Sequence, residues 1–308
     1  MKEPPDLSRA GVRIPSWAKR NLRLRDLHPT KKGLRESGLA TVCEQARCPN
    51  IAECFSRPTA TFLILGQNCT RRCRFCAIDK GAPAPPDPGE AARLARSAAA
   101  MGLRHVVITS VSRDDLSDQG AGAFALAVRE VRRVLPDSTI EVLTPDFSGR
   151  KDLLELVLRE KPDVFNHNVE TVGRLYGTVR PQASLETSLR VLRAAREHSA
   201  DLVVKSGLML GLGEREEELA GVLTDLGLAG CDVVTMGQYL QPTRAQVPVS
   251  RYWLPEDFER FSDIAKSSGI RYVLSGPLVR SSYRAREVLE DIRVNRSRSG
   301  ADTGGEGS

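Results

Sequence analysis

The sequence predicts an α/β protein whose parallel strands form a partial (β/α)6 barrel of the TIM type. Three observations predict it. Short apolar runs rich in β-branched residues alternate with longer helix-patterned segments, which is the rhythm of βαβ units. The intervening segments are long enough to carry the crossover helix that parallel strands require. Six such units fall within 308 residues, a size suited to one α/β barrel with a large core.

The strands are expected at Thr61–Gly66, His105–Ser110, Thr139–Thr144, Val164–Val169, Leu202–Leu210 and Asp232–Met236. Helical patterns lie between them, as at Glu90–Met101, Gly122–Leu135 and Ser184–His198. A last strand, Tyr272–Ser275, follows a helix at Pro255–Ser268. The proline-rich GAPAPPDPGE (81–90) reads as a connector, and the basic start of the chain as irregular, with a short helix near Lys31–Gly38. The organisation is therefore an N-terminal extension over 1–58 carrying a cysteine triad, the barrel over 59–270, a C-terminal segment over 271–294, and a disordered Ser- and Gly-rich tail over 295–308.

Composition narrows the function classes. Hydrophobic content of 41% and charged content of 27% are those of a globular domain. The net charge of +6 suits acidic partners or an anionic cofactor. With 5% aromatics and no basic block interleaved with them, nucleic acid is not an expected partner. No run of eighteen apolar residues and no secretory signal is present, so no membrane span is expected. Seven cysteines without an export signal argue for a reducing, cytoplasmic setting, where clustered thiols mean metal or redox chemistry.

The cysteines carry the chemistry. Cys69, Cys73 and Cys76 in CTRRCRFC directly follow the first strand, at the barrel face where active sites form. A zinc knuckle would need a distant fourth ligand, but the four histidines lie far off in sequence and no finger spacing occurs. Thiolates this close fold around an iron–sulfur cube. Three ligands leave one iron open to chelate the amino and carboxylate groups of S-adenosylmethionine, whose reductive cleavage gives a 5′-deoxyadenosyl radical. This CxxxCxxC, with aromatic Phe75 before its last cysteine, resembles the signature of the radical S-adenosylmethionine (radical SAM) superfamily. A second triad, Cys43, Cys48 and Cys54, lies in TVCEQARCPNIAECF. A disulfide plus a free thiol, or three packing residues, are the bland readings; dense spacing in a reducing setting favours a second cluster. Cys231, alone at a strand start, reads as a small buried hydrophobe.

CEQARCPNIAECF followed by ATFLILGQNCTRRCRFCAI resembles the lipoyl synthase family, and the match runs from about Trp17 to Ala285. Phe55 and Gln119 depart from residues usual in that family, and neither is a cluster ligand. The resemblance implies the radical SAM class of partial barrel and two [4Fe–4S] clusters. Cys69, Cys73 and Cys76 would hold one; Cys43, Cys48, Cys54 and Ser281 of the RSSY motif would hold the other. From residues alone, RSSY reads as a helix start with serine as N-cap. The resemblance further implies insertion of two sulfurs, donated by the second cluster, at C6 and C8 of an octanoyl-lysine. Substrates would be octanoylated lipoyl-carrier domains of 2-oxoacid dehydrogenase complexes or the glycine cleavage carrier protein, with ferredoxin or flavodoxin as electron donor. Another radical SAM sulfur-inserting enzyme is the alternative. Radical chemistry suits saturated carbons, whose C–H bonds acid–base catalysis cannot break. Serine oxygen is a harder ligand for iron than thiolate, which gives Ser281 a rationale in a cluster that must break.

Further expectations concern the cofactor and substrate. Asn168 and Glu170, ending the fourth strand, are expected to contact S-adenosylmethionine. GLMLGLGE (207–214), with Gly211 and Glu214, is similar to the segment lining the adenosyl site, or is a plain strand-to-helix turn. Arg113, Asp114 and Asp115 form a salt-bridged loop or seat the substrate. Tyr176 and Arg180 gate or position the acyl-lysine. Arg71, Arg72 and Arg74 are expected to be partly solvated, and His167 to be packing.

Overall fold

The computed structural model describes residues 15–18, 38–51, 53 and 61–302. The main sheet has eight strands in the order β1 (Ala40–Thr41), β2 (Thr61–Ile64), β5 (His105–Ser110), β6 (Thr139–Leu143), β7 (Val164–Asn166), β8 (Val203–Leu210), β9 (Val233–Gln238) and β10 (Tyr272–Ser275). Every neighbouring pair is parallel except β1–β2. Spatial order follows chain order, and β1 and β10 stand at opposite edges, so the barrel is open, as expected. Both flanking segments add to it: β1 joins from the N-terminal side and β10 from the C-terminal side. A separate two-stranded sheet pairs β3 (Asn68–Cys69) with β4 (Asp79–Lys80).

The strands are buried on both faces because helices cover the outside, which is why they read as continuous apolar runs. The helix Ala121–Val134 shows how the cover is built. Phe124, Val128 and Val131 recur at helical spacing, are fully buried, and bring Phe124 edge-on to Phe147 at 6.3 Å. The expected helix near Lys31–Gly38 lies outside the described residues.

The C-terminal helix, Ala285–Asp302, corrects the expected disordered tail, since it runs through Asn295. Ala285, Leu289 and Ile292 form its buried stripe, and Leu289 and Ile292 pack on Val164, Val203 and Val233, the first residues of β7, β8 and β9. Its early turns are thus fixed by packing, and elongation adds one hydrogen bond per residue even through Ser and Arg. The remainder of the expected tail, 303–308, lies outside the described residues.

A polar cluster interrupts the apolar interior. Lys205 on β8 bonds both oxygens of Glu141 on β6, at 3.0 and 3.1 Å, and Asn166 on β7 donates to the same carboxylate at 2.8 Å. His105 of β5 stands 3.6 Å away. Burial alone would raise the Glu141 carboxyl; the Lys205 charge, the nearby His105 ring and the Asn166 bond overcome it and hold it at about 2. A carboxyl depressed from 4.5 stabilises the fold above that pH and loses the contribution as pH falls from 4.5 towards about 2. Urea midpoints measured across that window should therefore fall in the native protein, and fall less steeply in Glu141→Leu/Lys205→Met. Equal slopes would show that the pair is not the source.

Candidate active site

A cavity of about 440 Å³ opens at the C-terminal ends of the strands. Its wall carries Cys69, Cys73 and Cys76, Cys43 and Cys48, and Ser281. Cys54 lies outside the described residues. Cys48, Cys69, Cys73 and Cys76 are free thiols. No three His, Cys, Asp or Glu side chains among the described residues stand close enough to ligate a single metal ion; the thiols are spread around the cavity wall. Cys231 is elsewhere, 4% exposed in the apolar core, its thiol pushed up by burial.

The three-cysteine loop is held at both ends. Cys69 pairs with Lys80 across β3–β4, and the Gly81 amide donates to the Cys69 carbonyl at 3.3 Å. In the middle, the Arg74 amide donates to Val179 O, and Arg74 O accepts from the Val247 amide, each at 2.9 Å. The Ser112 amide donates to Cys69 Sγ at 3.3 Å. Burial pushes the Cys73 thiol up, opposed first by the Arg180 charge; burial does the same to Cys76, opposed by Lys80. These cations favour the thiolate form that a metal takes.

Arg71 corrects the expectation of solvated arginines. It is 5% exposed, and its guanidinium forks onto Asp146, at 2.7 Å through both terminal nitrogens, and onto Asp114 at 2.8–3.1 Å. One residue thereby ties the cysteine loop to the loops after β5 and β6. Burial alone would raise the Asp146 carboxyl; the bonds and charge of Arg71 hold it at about 2. Arg72 and Arg74 are exposed, as expected. Arg113 pairs with Asp115 at 2.9 Å, so this stretch is the salt-bridged loop of the two readings.

Strand β7 ends earlier than expected because its pairing slips. Asn166 lies opposite Lys205 and Glu170 opposite Leu208, four steps against three, which is a bulge with Glu170 at φ 66°. The bulge turns Asn168 and Glu170 into the cavity wall. Asn168 Nδ2 donates to Ser281 Oγ at 2.7 Å and to Glu170 Oε1 at 3.1 Å. Burial raises the Glu170 carboxyl, opposed by Arg180 and then by the Asn168 bond. Arg180 donates to the carbonyls of Asn168 and Val169, at 3.0 and 3.3 Å, and lies over the Tyr176 ring. Arg180 belongs to the cavity wall; Tyr176 stands behind it, its hydroxyl donating to Val169 O at 2.7 Å. His167 is buried between Thr144 O and Ser188 Oγ, at 2.9 and 3.0 Å. The carbonyl makes its Nδ1 the donor. Burial and the Arg180 charge lower it to about 4, so it is a neutral packing residue that also borders the cavity.

The glycine-rich segment divides. Gly207 borders the cavity, and a Cβ there would lie 2.6 Å from Thr235 Oγ1 and 2.8 Å from Asn168 Oδ1. Gly211 and Glu214 are not in the wall. Glu214 accepts from the amides of Gly211 and Leu212, at 2.5 and 2.9 Å, and from Trp253 Nε1 at 2.7 Å. In this half of the segment the carboxylate is taken up by the turn.

The RSSY segment does not cap a helix; the helix begins at Ala285, and Ser281 bonds a side chain across the cavity. Asn50 Nδ2 donates to Leu278 O at 2.6 Å, and Tyr283 OH to Glu53 Oε1 at 3.1 Å, so the segment docks on the stretch carrying the second triad. Gly237 on β9 permits it: a Cβ there would stand 2.0 Å from Val279 O and 2.9 Å from Arg280 Nη1. Sequence reasoning missed Gly237, the Arg71 fork and the Asn168–Ser281 bond. Only Gly237, a glycine directly after the expected strand and inside the observed one, left a signal.

The residues fit iron–sulfur groups and a polar ligand beside them. Soft thiol donors surround one space, and the wall keeps Asn168 Oδ1 and Arg180 Nε buried with no partner.

The comparisons agree with this geometry. The radical SAM superfamily profile matches residues 63–226. A lipoyl synthase of Caldanaerobacter subterraneus subsp. tengcongensis is 50% identical over 274 residues, 89% of this chain and 96% of its own. That of Chlorobaculum parvum is 53% identical over 266 residues, 85% and 91% of the two chains. That of Nitratidesulfovibrio vulgaris (strain DP4) is 50% identical over 289 residues, 94% and 96% of the two. Among solved structures, Streptococcus suis SuiB bound to S-adenosylmethionine aligns with TM-score 0.54 at 13% identity, over 74% of this chain and 54% of that one. Methylornithine synthase aligns with TM-score 0.51 at 16% identity, over 83% and 82%. These two show a shared fold. By sequence, the chain belongs to the radical SAM superfamily and, within it, to the lipoyl synthase family.

Proposed function

We propose that this enzyme, a radical SAM sulfurtransferase, inserts two sulfur atoms at C6 and C8 of an octanoyl chain carried on a lysine of a lipoyl-carrier domain. The observation that carries the reading is the meeting of both cysteine stretches and Ser281 on one cavity wall. Carrier domains of 2-oxoacid dehydrogenase complexes or of the glycine cleavage system are the substrates, and a ferredoxin or flavodoxin the electron donor. No helix among the described residues is long and apolar enough to cross a membrane.

Cys69, Cys73 and Cys76 would hold one four-iron cluster, Cys43, Cys48, Cys54 and Ser281 the other, and Asn168, Glu170 and Arg180 would meet S-adenosylmethionine. When bound, these groups supply one-electron chemistry able to break an unactivated C–H bond, and the sulfur that replaces the hydrogen. The chain's own residues position and exclude. Arg71 fixes the cysteine loop, and Arg180 and Lys80 offset thiolate charge. Phe75, Val111, Leu208 and Met209 give the cavity an apolar side that suits methylene groups and keeps out water. The Asn168 amide holds the Ser281 hydroxyl at the wall.

Mass spectrometry of an octanoyl-lysine peptide, after anaerobic incubation with dithionite and S-adenosylmethionine, tests the reading. A gain of two sulfurs for two hydrogens is expected; iron-loaded protein that leaves the peptide unchanged would overturn it. Ser281→Cys should retain its iron but stall in sulfur insertion by about a hundredfold, because a fourth thiolate releases iron less readily than a hydroxyl oxygen. Native turnover in that variant would remove the role given to the oxygen.

A further inference from the structure

Five cations with no ion pair among the described residues lie in the cavity wall or on the loops that form it. Arg47 and Lys80 are exposed and belong to its wall. Arg72 and Arg74 are exposed on the cysteine loop, whose backbone is fixed to Gln182, Val179 and Val247. Arg244 is exposed in the loop after β9, where Gln241 and Pro242 border the cavity and Gln246 reaches Cys76 O at 3.3 Å. None of the five makes an ion pair among the described residues. Much of the remaining surface behaves otherwise: Arg93, Arg129, Arg133, Arg150, Arg174 and Arg260 each hold a carboxylate. Like charges grouped at one opening repel one another and focus a positive potential there.

We propose that this rim is the docking surface for an acidic protein domain that presents its acyl-lysine to the cavity, an inference that rests on the function proposed above. A lysine side chain entering the mouth leaves the body of its domain on the rim, so the cations meet that domain's surface. The lysine and its acyl chain reach past Arg47 and Lys80 to the sulfur-bearing wall. Charges placed at a rim speed encounter and choose partners more than they deepen binding. The net charge of +6 acts in the same direction at longer range.

The test compares two substrates under dithionite, which removes any protein reductant from the measurement: an acidic octanoylated carrier domain and a neutral octanoyl-lysine tripeptide. Raising salt from about 0.05 M to about 0.3 M should lower kcat/KM for the domain roughly tenfold and barely change it for the tripeptide. Arg72→Gln/Arg74→Gln/Arg244→Gln should lower the domain-to-tripeptide ratio of kcat/KM about tenfold at low salt and flatten its salt dependence. Should the triple variant load iron poorly, Arg244→Glu alone, outside the cysteine loop, should lower the ratio about threefold. An unchanged ratio overturns the proposal. Native enzyme that converts neither substrate refutes the function instead, and is told apart by that.

Discussion

Gly237→Ala is expected to detach the RSSY segment while leaving the barrel folded. The added methyl would meet Val279 O at 2.0 Å, and that atom is backbone, so no rotamer change relieves the contact. Either β9 or the segment must move, and β9 is paired on both sides by β8 and β10. Overpacking of this kind costs about 1–3 kcal/mol, enough to shift a docked segment towards its undocked state by roughly ten- to a hundredfold. The second triad would then lack Ser281. Anaerobically reconstituted protein should hold about four irons in place of about eight, keep its far-ultraviolet circular dichroism, and lose sulfur insertion. Native iron content and turnover in Gly237→Ala would show that the docked segment is not needed.

Arg71→Met should destabilise the protein more than any other single change at the cavity wall. It leaves the Asp146 side chain, 2% exposed, and the exposed Asp114 without their cation. Breaking a buried pair in this way costs about 3–5 kcal/mol, which for a chain of this size lowers the melting temperature by roughly 10 °C. Arg71→Lys should recover only part of that, because an ammonium cannot fork onto two carboxylates. Arg71→Met/Asp114→Asn/Asp146→Asn should recover most of it, because the stranded charges are gone. A triple variant as unstable as Arg71→Met would place the loss in packing.

The barrel was readable because parallel strands buried on both faces leave apolar runs that nothing in a loop imitates. Both cysteine stretches were readable because thiols at such spacing have few other uses in a reducing setting. The antiparallel β1 was not, since two residues carry no period. Nor was the bulge after Asn166, which is a mismatch between two strands and exists in neither alone. The Arg71 fork joins residues 43 and 75 positions apart, so its carboxylates look like ordinary loop acids. Glu141 and Lys205 are lone charges in apolar runs, and their pairing joins strands 64 positions apart in sequence. The two readings of Glu214 could not be separated because a carboxylate that stitches a turn and one that faces a ligand follow glycines in the same way.

The docking of Leu278 on Asn50 and of Tyr283 on Glu53 spans 228 and 230 positions of chain. At ribosomal rates of about 5–20 residues per second, Cys43 and Cys48 leave the ribosome roughly 10–50 s before the serine that faces them. The thiols that arrive first must wait through synthesis of the whole barrel, open to oxidants and stray metals, so maturation of this pocket belongs after translation.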